Sequence, residues 1–282
     1  MLPAMPDLFQ SLAHASDDFV AMVGDVLERR AADPAQQAIL EACLDRLAVP
    51  SGGAAALEIG CGTGPVCRRL AAVDGIARVR GIDPAPGLID RARLLAADLP
   101  GVDFVVAPGE ASGEATGSYD IVVLYTVLSH VAEPAALLAE AYRVLKPGGM
   151  LAVCDSDFSK ATAAVGPADP LQACIEAWAG EAVTDRWLVP KLPGLLEAAG
   201  FAVAGLRGHH RVDVSGVGSG SAWIDYGIDV LVESGRIGAV LGEALRAESR
   251  RRVGAGRFFA AIPFVTLQAI KVEAAERPID AA

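Results

Sequence analysis

Leu57-Glu58-Ile59-Gly60-Cys61-Gly62-Thr63-Gly64-Pro65 is the stretch on which the fold turns. Ala54 to Ile59 is a short apolar run suited to a buried parallel strand. Three glycines in five residues then make a tight turn, and helical spacing resumes at Val66 to Ala72. Gly60, Gly62 and Gly64 permit positive φ and let a ligand approach the main chain with no Cβ in the way. The helix that follows offers unpaired N–H groups. A nicotinamide or flavin fingerprint would place its third glycine at position 65, where this chain has proline. Glu58, next to the loop, would repel a pyrophosphate but attract an amino group or a sulfonium. A cationic cofactor is therefore expected before a dinucleotide.

Outward from the loop the chain keeps a βα rhythm. On the N-terminal side, Phe19, Met22, Val23, Val26 and Leu27 recur at helical spacing, as do Ile39, Leu40, Cys43, Leu44 and Leu47. Asp33-Pro34 is a cap and first-turn pair for the second of these helices. On the C-terminal side, strand-like residues run from Ala77 to Ile82, and Leu88, Ile89, Ala92 and Leu95 mark a helix. Short strands follow at Phe104 to Val106 and Ile121 to Leu124. Pro134 opens a helix that Pro147-Gly148-Gly149 stops before the strand Met150 to Cys154. Five strands alternating with helices imply a parallel, doubly wound sheet with right-handed crossovers.

Beyond Asp155 the rhythm changes. Helical stretches at Leu171 to Trp178 and Leu192 to Ala199 precede a strand, Phe201 to Leu206. A glycine- and serine-rich segment, 214–220, leads into helices at roughly 222–233 and 237–253, and Phe258 to Val272 is the last strand candidate. The expected architecture is α/β, a Rossmann-like, mostly parallel seven-stranded sheet forming one integrated domain. Residues 1–50 would be an N-terminal helical cap and 51–160 the cofactor-binding core. Residues 161–282 would carry the last strands and a helical substrate lid inserted before the final one, with 273–282 polar and frayed.

Composition narrows the function. A formal charge of −11 leaves no basic stripe for a phosphate backbone, so nucleic acid is not an expected substrate. The N-terminus lacks the basic and apolar regions of an export signal, and the apolar stretch Phe258 to Ile270 is too short to span a bilayer. Five scattered cysteines, with no CxxC and no His/Cys cluster, suit reduced thiols and suggest no metal. A cytoplasmic monomer or homodimer acting on a small molecule is expected.

Asp83, at the end of the second strand, is placed to accept both hydroxyls of a ribose, as an acid does in dinucleotide folds too. At these residues the chain resembles the class I S-adenosylmethionine (SAM)-dependent methyltransferases, in particular the small-molecule group that includes the ubiquinone and menaquinone C-methyltransferases. Four stretches within roughly 20–156 carry the resemblance: LEIGCGTG, GIDPAPGLIDRAR, YDIVVLYTVLSHV and AYRVLKPGGMLAVCD. It implies SAM as cofactor and S-adenosylhomocysteine as product. It further implies Gly60, Gly62 and Gly64 along the methionine, with Cys61 in the same loop, Asp83 on the ribose, Pro84 beside the adenine and backbone contacts from Tyr125. Two departures stand out. The family usually reads Gly-Asp-Ala after strand three, whereas this chain has Ala107-Pro108-Gly109-Glu110-Ala111, so Glu110 is the candidate for the adenine amino group after a shift of one or two residues. Pro263 falls within a strand that lies between two others in the family, where proline fits only at a start or a bulge.

Open α/β sheets bind ligands at the carboxyl ends of their strands. That selects Tyr125, His130 and Asp155 as catalytic candidates. His130 is a general base or a residue that orients its turn; Asp155 contacts substrate or caps the turn after its strand. His209 and His210 face substrate or lie in a solvated loop, and Trp223 and Tyr226 wall the substrate or fill the core. The arginines at 246 and 250–252 are most simply a solvated helix face. The readings carried forward are a SAM-dependent methyltransferase acting on C, O or N of a small, apolar or aromatic metabolite, an NAD(P)-dependent oxidoreductase, and a SAM-binding or cyclising relative that transfers no methyl group.

Overall fold

The computed structural model describes residues 7, 9, 12–216 and 218–272; the closing segment 273–282, expected to fray, lies outside the described residues. Strands β1 (Ala54–Ile59), β2 (Ile76–Asp83), β3 (Val102–Val106), β4 (Tyr119–Tyr125) and β5 (Leu145–Ser156) alternate with helices α3 (Pro65–Leu70), α4 (Pro86–Leu95) and α5 (Pro134–Val144). Before them come α1 (Asp17–Ala31) and α2 (Pro34–Leu44). After them come α6 (Pro170–Glu181), α7 (Leu188–Ala198), β6 (Phe201–Asp213), α8 (Ser219–Glu233), α9 (Ala239–Gly254) and β7 (Ala260–Lys271). The seven strands pair in the order β3-β2-β1-β4-β5-β7-β6, all parallel except β7, which runs against both its neighbours. Strand order reverses between β1 and β4, which opens a crevice at their carboxyl ends.

Side-chain alternation divides the core between the two faces. Ala56 of β1 with Ile121 and Val123 of β4 pack under α2, α3, α4, α6 and α8. Leu57, Ile59, Val122 and Leu124 point the other way, toward α5 and α7. A smaller cluster of Val20, Val23 and Leu88 seats α1 on α4. The caps follow the sequence: Asp33 Oδ1 accepts from Ala35 N at 2.8 Å ahead of Pro34, and Asp169 Oδ1 accepts from Leu171 N at 3.0 Å ahead of Pro170.

Several boundaries differ from the sequence reading, each for a local reason. The α5 helix ends at Val144, and β5 begins at once with Leu145, opposite Tyr119, so the Pro147-Gly148-Gly149 turn lies inside the strand's irregular start. The α7 helix starts four residues early, at Leu188, and tolerates Pro193 within it. The β6 strand continues to Asp213, carrying His209 and His210 opposite Phe264 and Pro263, so the pair sits within a strand and not in a loop. Its polar RGHHRVD half reads poorly as strand because β6 is the sheet's outer edge, exposed over most of its length. Pro263 is accommodated for a related reason. Its carbonyl accepts from Asp157 N at 2.8 Å, just past the end of β5, so its missing N–H falls where no ladder partner stands.

The α8–α9 pair is inserted between β6 and β7, as expected, but it packs on α6. A β-carbon added at Gly227 would lie 1.8 Å from the carbonyl oxygen of Cys174, so the two helix backbones touch. Arg252 of α9 also grips the Asp169 cap of α6 through two hydrogen bonds, at 2.7 and 3.0 Å. Gly227→Ala is expected to cost about 3 kcal/mol, the upper end of ordinary overpacking, because backbone and not a pliant side chain blocks the methyl group. Chemical denaturation measures this, and an unchanged midpoint would contradict the close approach.

Candidate active site

The glycine loop is shaped by positive φ at Gly60 (+76°), Gly62 (+53°) and Gly64 (+75°), a region that disfavours residues with a β-carbon. Gly60 N and Cys61 N both donate to Ile82 O, at 2.8 and 3.0 Å, lashing the loop to β2. The sequence reading held these positions open for a ligand, yet the protein's own side chains crowd them. Added β-carbons would lie 2.3 Å from Val127 at Gly60, 2.8 Å from Leu27 at Gly62 and 2.6 Å from Phe104 at Gly64. The α3 helix is one and a half turns long and begins with Pro65, which has no N–H, so it adds little as an anion site.

Two carboxylates flank the loop. Asp83 Oδ2 accepts from Gly62 N and Oδ1 from Ala85 N, both at 2.9 Å, and burial raises its pKa. These bonds fix the carboxylate's orientation and leave one lone pair on each oxygen. Glu58 is 2 % exposed and accepts from Cys67 Sγ at 2.9 Å. Burial pushes its carboxyl up to about 8, so near neutrality it holds a proton until a cation approaches. Burial likewise pushes the Cys61 thiol up to about 11, which leaves an inert thiol in the loop.

At the end of β4, Thr126 takes φ +55° and a 3-10 turn follows at Leu128–His130. Asp155 accepts from Ser129 N at 3.2 Å, Ser129 Oγ at 2.8 Å and Ser156 N at 2.8 Å. It is fully buried, and it holds this turn from beneath without reaching the cavity. His130 Nδ1 lies 2.9 Å from Asp7 Oδ1. Asp7 in turn accepts through Oδ2 from Thr184 N and Oγ1, at 2.9 and 2.7 Å. The Phe9 ring leans on the imidazole with 4.5 Å between centroids.

These groups open into one cavity of about 590 Å³, within the range of small-molecule sites. Its floor and sides include Glu58, Gly60, Cys61, Gly62, Asp83 and Pro84, with Glu110, Tyr125 and His130 beyond them. Gly64 and Gly109 lie behind the wall, against Phe104 and against Leu137 and Ile59. The other proposed substrate contacts are elsewhere. His209 Nε2 bonds Thr266 Oγ1 at 2.9 Å, and His210 is exposed on the sheet edge. Trp223 stacks on Trp178 at 4.7 Å, under the Arg211 guanidinium, while Tyr226 packs against the core. Among the described residues the insert between β6 and β7 contributes none to the lining, where a lid was expected. The roof comes from the N-terminal segment: Leu27 and Arg30 of α1, Gln36 and Leu40 of α2, with Phe9 and Leu12 ahead of them. Glu28 pins that roof to the loop through Thr63 Oγ1 (2.5 Å) and Arg68 (2.8 Å).

Residues 57–153 match the family model described as a methyltransferase domain. Over these residues the chain is similar to a methyltransferase domain. Within that domain fall the glycine loop, Asp83, Tyr125 and His130, whereas the roof lies outside it. The ubiquinone biosynthesis O-methyltransferase of Xanthomonas oryzae pv. oryzae is 40% identical over 101 residues, 35% of this chain and 41% of that protein. An uncharacterized 37.1 kDa protein in transposon TN4556 of Streptomyces fradiae is 35% identical over 152 residues, 54% of this chain and 44% of that one. The match thus spans less than half the length of these curated relatives. Among solved structures, a Bacillus halodurans protein assigned as a methyltransferase aligns with a TM-score of 0.60 at 20% identity, covering 83% of this chain and 99% of that one. The [4+2]-cyclase SpnF aligns at 0.53 with 21% identity, covering 84% and 81%. Both share the fold of the methyltransferase domain. Among the described residues, no His/Cys/Asp/Glu group is arranged to hold a metal ion, and no helix is long and apolar enough to cross a membrane.

Proposed function

We propose that the chain transfers a methyl group from SAM to an oxygen or nitrogen of a small, largely apolar acceptor. The observation that carries this reading is the pair Glu58 and Asp83 beside the glycine loop of one cavity, a buried acid environment that suits a sulfonium and a ribose and disfavours a pyrophosphate. The residues present fit such a ligand: Asp83 with its two oriented oxygens would take the ribose, Glu58 and the loop the methionine amine, and Pro84 and Glu110 the adenine. When bound, the sulfonium supplies an electrophilic methyl group and leaves as a neutral thioether.

The chain's own part is to align, exclude water and move one proton. The contact between His130 Nδ1 and the buried Asp7 orients the imidazole at the cavity wall, and His130 is the residue proposed to take the acceptor's proton. The roof of α1 and α2 covers part of the cavity. Five buried free thiols favour a reducing compartment, the cytoplasm.

Labelled SAM incubated with a metabolite extract tests the activity, and absence of any labelled product overturns it. His130→Gln is expected to slow transfer about 100-fold while leaving S-adenosylhomocysteine affinity within threefold. Equal rates in a stopped assay would remove His130 as base.

A further inference from the structure

The side chains of Arg30, Gln36 and Tyr125 form a set that the cofactor assignment does not use. Of the six buried side-chain polar atoms with no hydrogen-bond partner among the described residues, three belong to this set: Arg30 Nη2, Gln36 Oε1 and the Tyr125 hydroxyl. All three residues line the same cavity. Buried polar atoms are seldom left unpaired, because each costs about 1–3 kcal/mol, and more when charged. Arg30 forms none of the ion pairs found among the described residues, and its Cζ lies 6.0 Å from the Phe264 ring centroid. Gln36 is 6 % exposed. Burial, reinforced by the neighbouring Cys154 and opposed in part by the nearby Arg30 guanidinium, raises the pKa of the Tyr125 phenol and keeps it neutral.

Position decides what the set can hold. Among the described lining residues, apart from His130, the other titratable ones are acids, Glu58, Asp83, Glu110 and Glu133, and Arg30 is the arginine set apart from them. Asp83 ends β2, whereas Arg30 lies by Tyr125 of β4 and Phe264 of β7, two to four strand spacings of about 4.8 Å across the sheet. A cofactor held by Asp83 at β2 and by Glu58 at β1 would have its reactive end toward β4, which would leave the space by Arg30 to the acceptor. Around it the walls are apolar, with Leu27 and Leu40 overhead.

We propose that Arg30, with Tyr125 and Gln36, binds an oxyanion of the acceptor, and hence that the acceptor is an apolar acid, a carboxylate or an acidic phenol, whose charge Arg30 and Tyr125 meet as donors while Gln36 accepts from a neighbouring hydroxyl or N–H. The proposal rests on the methyl-transfer reading above. The same oxyanion chemistry could come from the carboxylate of the cofactor's own methionine, and the test separates the two sources.

Wild-type, Arg30→Gln and Arg30→Lys proteins are titrated calorimetrically with S-adenosylhomocysteine and with 5′-methylthioadenosine, which lacks the amino acid. Each is then saturated with S-adenosylhomocysteine and titrated with benzoate, 4-hydroxybenzoate, cinnamate and octanoate against the corresponding amides. The expected result is at least one acid bound tenfold more tightly than its amide, the preference lost in Arg30→Gln and partly kept in Arg30→Lys, with S-adenosylhomocysteine affinity unchanged within threefold. No acid preference in the wild type, or one that survives in Arg30→Gln, overturns the proposal. A tenfold loss for S-adenosylhomocysteine but not for 5′-methylthioadenosine in Arg30→Gln also overturns it, by giving Arg30 to the cofactor. If the wild type binds no S-adenosylhomocysteine at all, the methyl-transfer reading itself falls, and the acid assignment with it.

Discussion

Asp83→Ala weakens S-adenosylhomocysteine binding about a thousandfold. The carboxylate is held by Gly62 N and Ala85 N, each at 2.9 Å, and its remaining lone pairs face the cavity. Two hydrogen bonds from a ribose to an ionised group contribute on the order of 4 kcal/mol together, which sets that factor. Asp83→Asn keeps one acceptor oxygen and should fall between. Because alanine also releases two loop amides, thermal unfolding of the ligand-free variants separates a loosened loop from a lost ligand contact. Affinity within threefold of wild type, measured by calorimetry, would remove Asp83 from the ribose.

The second large effect is a dependence on pH centred on Glu58. Desolvation raises its folded pKa to about 8 from an ordinary 4.5. Between those values the folded state retains a proton that the unfolded chain has released. Stability from this group is therefore greatest at low pH and declines as pH rises from about 5 to 8, by on the order of 4 kcal/mol in total. Glu58→Gln is neutral throughout and should flatten that part of the profile. Binding has the opposite sign: a cationic ligand favours the ionised carboxylate, so SAM affinity should tighten as pH climbs toward 8 and stop improving above it. Denaturant midpoints and SAM titrations at pH 5, 6, 7 and 8 test both halves. Parallel profiles for the two proteins would show that Glu58 does not titrate there.

The sheet was legible in sequence because its strands are buried on both faces. Runs such as Ala54–Ile59 and Tyr119–Tyr125 are apolar but for Glu58 and Asp120, and glycines flank the first of them. Glu58, Asp83 and Tyr125 lie at or next to the carboxyl ends of their strands and His130 in the turn after β4, positions that the strand pattern indicates. Legibility failed where one residue's role depends on another far along the chain. Asp7 reaches His130 across 123 positions, and nothing in its local spacing announces this. Arg30 reads as the polar face of an amphipathic helix, and only the packing of α1 across the loop turns it inward. The residue types of His209, His210 and Trp223 suggest chemistry, while the structure bonds His209 to Thr266, leaves His210 exposed on the sheet edge and stacks Trp223 on Trp178.

The backbone contact between α6 and α8 restricts motion as well as packing. Gly227 against Cys174 and Arg252 on Asp169 tie α6 to both α8 and α9. The three helices are a buttress for the antiparallel side of the sheet. A change of acceptor preference would then be engineered in the first forty residues, where α1 and α2 overhang the chemistry, and the buttress could be left as it stands.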